Sequence, residues 1–319
     1  MFPRFMYVSF SRPRILCVPM LVAAPPQTVP IVSRFDYVTV DAKRKRVYAA
    51  HTGSETLLVV DGTTGRVLGQ VDVGPMHGVA VDPSDGSVYT GNGTDQTLSK
   101  VDPVGLKVTS SVDVPGNVDG IEYDPQLHRL YADEDGANHV FVVDTRTMKL
   151  VGTITLPSND PEAIAIDPAT HLVYQNLNDS NSIAVIDPKT LKVVKVIKTP
   201  QLSHNHPLVF SSQLNELVAG GKNGTMSTYV PDGRHLADGK VQPDIDQCSL
   251  GEKGDVEACA GKGVITLVQL SRDAAPHVVA TLDTKQDVHT VGIDEAHELL
   301  WVVYPSPAGD FIEALRIVP

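Results

Sequence analysis

The chain runs to 319 residues with a formal net charge of −12 at pH 7, and 42 % of it is hydrophobic against 20 % charged. That apolar content supports a packed core and excludes a disordered chain. The acid excess argues against nucleic acid as a partner, because phosphate binding needs concentrated Lys and Arg, and the one basic run, Lys43 to Arg46, falls in a tight turn.

The first 24 residues hold the parts of a short secretory signal. Arg4, Arg12 and Arg14 supply positive charge, Ile15 to Ala24 an apolar segment, and Ala23 and Ala24 small residues for processing. The apolar stretch is too short to span a bilayer, so no membrane span is expected. The division expected is a signal segment over 1–24 and a single domain over 25–319, in a periplasmic or secreted protein. Of the three cysteines, Cys17 lies in the signal segment. Cys248 and Cys259 remain as an even pair, as suits an oxidising compartment. They fall on the first and second strands of one hairpin, where cross-strand neighbours come within disulfide reach.

From residue 36 onward a repeat sets in. An acidic residue or a histidine stands immediately before a short apolar run at Asp36, His77, Asp119, Glu162, His206, Asp246 and His289, at intervals of 40 to 44 residues. A period of this length and regularity predicts an all-β, seven-bladed β-propeller of four-stranded antiparallel blades. The second repeat shows the unit: strands over 77–82, 87–91, 97–101 and 108–114, joined by turns rich in Pro, Ser, Asp and Gly. Asp61, Asp102, Asp144 and Asp187 each open the turn after a third strand, where a carboxylate caps the local backbone, so these acids read as structural. The innermost strands are near-continuous apolar runs, as expected where a sheet is covered on both faces. The chain ends on a third strand over 311–318. An N-terminal strand, placed at Thr28 to Val32, is therefore expected to complete the last blade and close the ring.

The pairs Val47-Tyr48, Val88-Tyr89, Leu130-Tyr131 and Val173-Tyr174, the turns that begin with Asp and carry Lys or Arg five residues on, and the opening Phe35 to Asp41 resemble the YVTN-repeat β-propellers, in particular the YncE-like exported propellers of bacteria. The resemblance covers about residues 30 to 318 and implies the propeller fold and export. It names no activity, since the repeats are scaffold motifs.

If each apolar run opens an innermost strand, the seven residues before them ring one end of a central channel. The ends of the second strands return to the same face, and there blades one to three carry His51, Asn92 and Glu134. The candidate ligand-binding face is thus Asp36, His51, His77, Asn92, Asp119, Glu134, Glu162, His206, Asp246 and His289. His77, His206 and His289 are the candidate ligands for a divalent metal, because imidazole and carboxylate together suit zinc, manganese or iron. Such a ring also suits general acid–base chemistry, and it would equally serve to anchor loops at a wet channel mouth. Three functions remain open from the sequence: binding of a small ligand, metal ion or protein at the channel face; a metal-dependent hydrolase or lyase; and a pure interaction scaffold. No nucleophile elbow, phosphate loop or dinucleotide fingerprint is present. The chain reads as a monomer.

Overall fold

A computed structural model describes residues 14–17, 22–23 and 34–318 of the chain. Over them it forms seven antiparallel sheets in chain order around a channel. Their innermost strands are Val38–Asp41, Val79–Val81, Val118–Asp124, Pro161–Ile166, Asn205–Ser211, Gln247–Leu250 and Gly292–Asp294. Blade three is representative: Val118–Asp124, Arg129–Glu134, His139–Asp144 and Lys149–Thr155 pair each with the next. Its two middle strands bury Leu130 to Ala132 and Val140 to Val143, whereas the outermost strand is mostly exposed. The core of each sheet therefore sits in its middle strands, sandwiched by the neighbouring blades.

The turns follow the sequence reading. Asp61 accepts hydrogen bonds from the backbone N–H groups of Thr63 (3.0 Å) and Thr64 (2.9 Å). Asp102, Asp144 and Asp187 cap their turns in the same way. These carboxylates satisfy donors that a tight turn would otherwise leave open.

Between blades, the repeated tyrosines Tyr48, Tyr89, Tyr131 and Tyr174 are fully buried, and blade seven places Trp301 at the same repeat position. The seam between the last and first blades is one apolar cluster containing Phe35, Val38, Val47, Leu58, Trp301 and Val303. Across it the Val38 N–H donates to Thr290 Oγ1 at 3.2 Å. The outer edge of blade seven, on Gly309–Val318, is covered by two N-terminal segments: Arg14–Cys17, in register from Arg14 opposite Val318 to Cys17 opposite Leu315, and Val22–Ala23. An N-terminal strand thus occupies the outer position of the last blade. Both segments fall within residues 1–24, read above as a signal segment, whereas Thr28 to Val32, the stretch expected to supply the strand, lies outside the described residues. In blade six Cys248 and Cys259 face each other across the first two strands at disulfide distance, with sulfurs 1.97 Å apart. Among the described residues no helix is long and apolar enough to cross a membrane.

Trp301→Ala removes the largest side chain of the closing seam. We expect a loss of about 3–5 kcal/mol in chemical denaturation, the usual cost of emptying a buried aromatic site. An effect below about 1 kcal/mol would mean that the seam does not hold the ring.

Candidate functional site

In blades three, four and five the pairing with the second strand shifts register where the innermost strand begins, between Val118 and Ile121, Pro161 and Ile164, and Asn205 and Leu208. Asp119, Glu162 and His206 sit inside these irregularities. A break in the ladder releases a residue from strict alternation and re-aims its side chain.

The ring resolves into two clusters, each an imidazole between two carboxylates. On blades one to three, His77 Nδ1 lies 2.6 Å from Asp36 Oδ2 and 3.4 Å from Asp119 Oδ1. Gln247 Nε2 donates to the other Asp36 oxygen at 2.6 Å. On blades four to six, His206 Nε2 lies 3.0 Å from Glu162 Oε2 and 2.9 Å from Asp246 Oδ1. Asn178 Nδ2 donates to Glu162 Oε1 at 3.0 Å, and Lys222 Nζ stands 3.6 Å from Asp246.

The charges are unevenly satisfied. Burial works to lower both imidazoles, but the hydrogen bonds and charges of Asp36 on His77, and of Asp246 and Glu162 on His206, outweigh it and hold both above the ordinary histidine value. Burial works to raise Asp246, yet the His206 hydrogen bond and charge take it down to about 2. Asp119 and Glu162 go the other way. Burial and the charge of Asp36 push Asp119 up to about 7 against the pull of His77. Burial takes Glu162 to about 7 against His206 and Asn178. These two acids come from adjacent blades and lie where the two clusters meet.

Residues the sequence reading did not single out complete the mouth. Asp133, fully buried, accepts from the Gly120 N–H at 2.7 Å and from Gln175 Nε2 at 3.1 Å. Burial first, and then Asp119, raise it well above the carboxylate range. Tyr37 follows Asp36, and burial first, then the charges of Asp119, Asp133, Asp36 and Glu162, raise its hydroxyl well above its ordinary value. Both stand next to residues of the candidate set, and the alternation of a regular strand would have turned them away from the mouth. Deeper in, a channel cavity of about 380 Å³ is lined by Tyr37, Glu122, Ala163, Val209 and Cys248, among others. Burial raises Glu122 there to about 7.

Four candidate residues make no ion pair with the members of these clusters. His51 is 1 % exposed, stacks on Phe35 with ring centroids 4.3 Å apart, and pairs through Nε2 with Asp310 of blade seven at 2.9 Å. Asn92 is buried within blade two, bonded to Thr90, Thr97 and Ser99. Glu134 pairs with His139 on its own hairpin at 2.6 Å. His289 is half-buried and lines a pocket with Asp246 and Lys222, and its Nδ1 lies 2.9 Å from the Asp287 carbonyl oxygen. His77, His206 and His289 consequently do not form one three-histidine set. At the mouth, the ligand-type atoms that gather within 4.8 Å of one another belong to Asp36, His77 and Asp119. One imidazole and two carboxylates are a donor set that fits a borderline divalent ion.

No protein-family model matches the chain, and no curated protein matches it in sequence. Among solved structures, Kuenenia stuttgartiensis hydrazine synthase superposes with a TM-score of 0.77 at 16 % identity, covering 92 % of this chain and 99 % of that one. The WD40 repeats of RRP9 superpose with a TM-score of 0.78 at 10 % identity, covering 95 % and 100 %. At such identities the likeness establishes the seven-bladed fold and carries no chemistry.

The mouth makes stability depend on pH with a definite sign. Asp119 and Glu162 bind protons more tightly folded than unfolded, so stability falls as pH rises from about 4 through about 7. The raised histidines act in the same direction, since their contribution is lost as pH climbs through their folded values. Thermal unfolding should therefore shift down by roughly 5 °C or more between pH 5 and pH 8. The double variant Asp119→Asn, Glu162→Gln should flatten that profile. An unchanged slope would show that these acids are not the source.

Proposed function

We propose that this chain is an exported β-propeller of the YVTN type that binds a small cationic ligand, a divalent metal ion or an amine, at the acidic mouth of its channel. One observation carries the reading: Asp119 and Glu162, with Asp133 beside them, are desolvated carboxyls concentrated where blades three and four meet, and His77 and His206 only partly neutralise them. Replacing the protons that such acids retain near neutrality with a cation relieves both their desolvation and their mutual repulsion. A mouth of one sign within low-dielectric walls also raises the local concentration of the opposite charge. The Val-Tyr and Asp-turn repeats support the family. The cysteine pair at disulfide distance supports export.

A second reading draws on the same acids. Carboxyls that titrate near pH 7 beside an imidazole are suited to general acid–base work, which keeps a metal-dependent hydrolase or lyase in view. Calorimetry with zinc, manganese and a short diamine as probes tests the primary reading. Binding should release protons, be at least tenfold tighter at pH 8 than at pH 5.5, and vanish in Asp119→Asn, Glu162→Gln while the ring stays folded. No heat with any probe, or full affinity in the double variant, would reduce the mouth to architecture. The rim loops would then be the contact surface of a scaffold.

A further inference from the structure

One repeat position behaves differently in a single blade. On the second strand, Val47, Val88, Leu130, Val173, Leu217 and Leu300 fill the same place in six blades, and blade six puts Glu257 there. The side chain is 1 % exposed, and its Oε2 has no hydrogen-bond partner among the described residues. Burial alone lifts this carboxyl to about 8. The fold does not ask for an acid at a position that valine or leucine fills elsewhere, and an unpaired buried carboxyl is costly. What blade six has in addition is the cysteine pair. Glu257 and Cys259 are two apart on Val256–Gly261 and so face the same side of the sheet, and ligand-type atoms of Cys248, Glu257 and Cys259 lie within 4.8 Å of one another.

The two sulfurs are not equivalent. Cys259 is fully buried in an apolar cluster with Leu214, Met226, Ile245, Val268 and Leu270. Cys248, on the innermost strand, is only half-buried and lines the channel cavity of about 380 Å³. A reagent entering the channel thus meets Cys248, and the sulfur that must leave is the buried Cys259, with the Glu257 carboxyl within 4.8 Å of it.

We propose that Cys248 and Cys259 form a thiol–disulfide exchange centre reached through the channel by a small dithiol, with Glu257 as the acid that protonates the buried leaving sulfur. The dithiol, as its thiolate, attacks Cys248 Sγ. The Cys248–Cys259 bond breaks, its electron pair departs on Cys259 Sγ, and that sulfur takes the Glu257 proton. The second thiolate of the dithiol then attacks its own sulfur in the mixed disulfide and expels the Cys248 thiolate, which is protonated from solvent. The dithiol leaves as a cyclic disulfide and two electrons stay on the protein as two thiols. In the oxidising direction the Glu257 carboxylate takes the Cys259 proton and frees the thiolate that closes the bond onto Cys248. This centre uses none of the mouth residues and does not depend on the cation-binding reading.

The test is the rate of thiol release from the oxidised, folded protein on addition of dithiothreitol at pH 7. Wild type should be reduced at least tenfold faster than Glu257→Gln, with the two unfolding midpoints alike. Equal rates, or reduction of wild type only under denaturing conditions, would overturn the proposal. Should the variant fail to fold, wild type decides alone: glutathione trapping followed by alkylation and mass mapping should place the first adduct on Cys248 and the free thiol on Cys259. The reverse pattern would overturn it.

Discussion

Each blade of this ring is a sheet that cannot bury its own faces. Its middle strands are apolar on both sides, and only the adjacent blades cover them, so the stability of every sheet is conditional on its neighbours. Tyr48, Tyr89, Tyr131, Tyr174 and Trp301 do that covering, all at or below 1 % exposure. The chain has two ends, so the condition can be met everywhere only if the last blade reaches the first. The Phe35–Trp301 seam and the N-terminal segments on the edge of Gly309–Val318 meet it. The channel, its mouth and the convergence of seven strand starts all follow from that closure.

Closure also explains the electrostatics of the mouth. Residues some forty positions apart in sequence are brought side by side, so that Asp36 meets His77 and Glu162 meets His206. Packing seven strand starts around a narrow channel strips water from these groups faster than it supplies partners. Asp246 gains a full partner and remains an anion, whereas Asp119 and Glu162 gain only partial ones and retain protons near neutrality. One ring position therefore yields acids of opposite character, set by the number of cations within reach.

The blades were legible because their signals are local: a Val-Tyr pair, an Asp-capped turn and an apolar run recur within each forty-residue unit. The ring was legible for the same reason, at the position before each innermost strand. Partner choice was not legible, because it runs around the ring rather than along the chain. His51, Asn92 and Glu134 align in the repeat, yet His51 pairs with Asp310 on the blade across the seam, Asn92 is saturated by hydroxyls of its own blade, and Glu134 is taken by His139. His289 differs because its strand begins only at Gly292, which leaves it half-buried on the loop before the strand, bonded to the Asp287 carbonyl. Asp133 and Tyr37 escaped the pattern because the two-residue alternation on which such a reading relies is broken there, by the register shift opposite Asp133 and by the bonding of both Asp36 and Tyr37 to Ala50.

The seam has a consequence for how the protein is made. Phe35 and the inner face of blade one are synthesised more than 250 residues before Trp301, which covers them. Contacts such as Val38 with Thr290 and His51 with Asp310 close nearly the whole chain into a loop, and pairings so distant in sequence form late and slowly. During synthesis and any translocation, blade one therefore waits with an apolar face and an open strand edge, a natural target for a holding chaperone and the place where an interrupted chain would begin to aggregate.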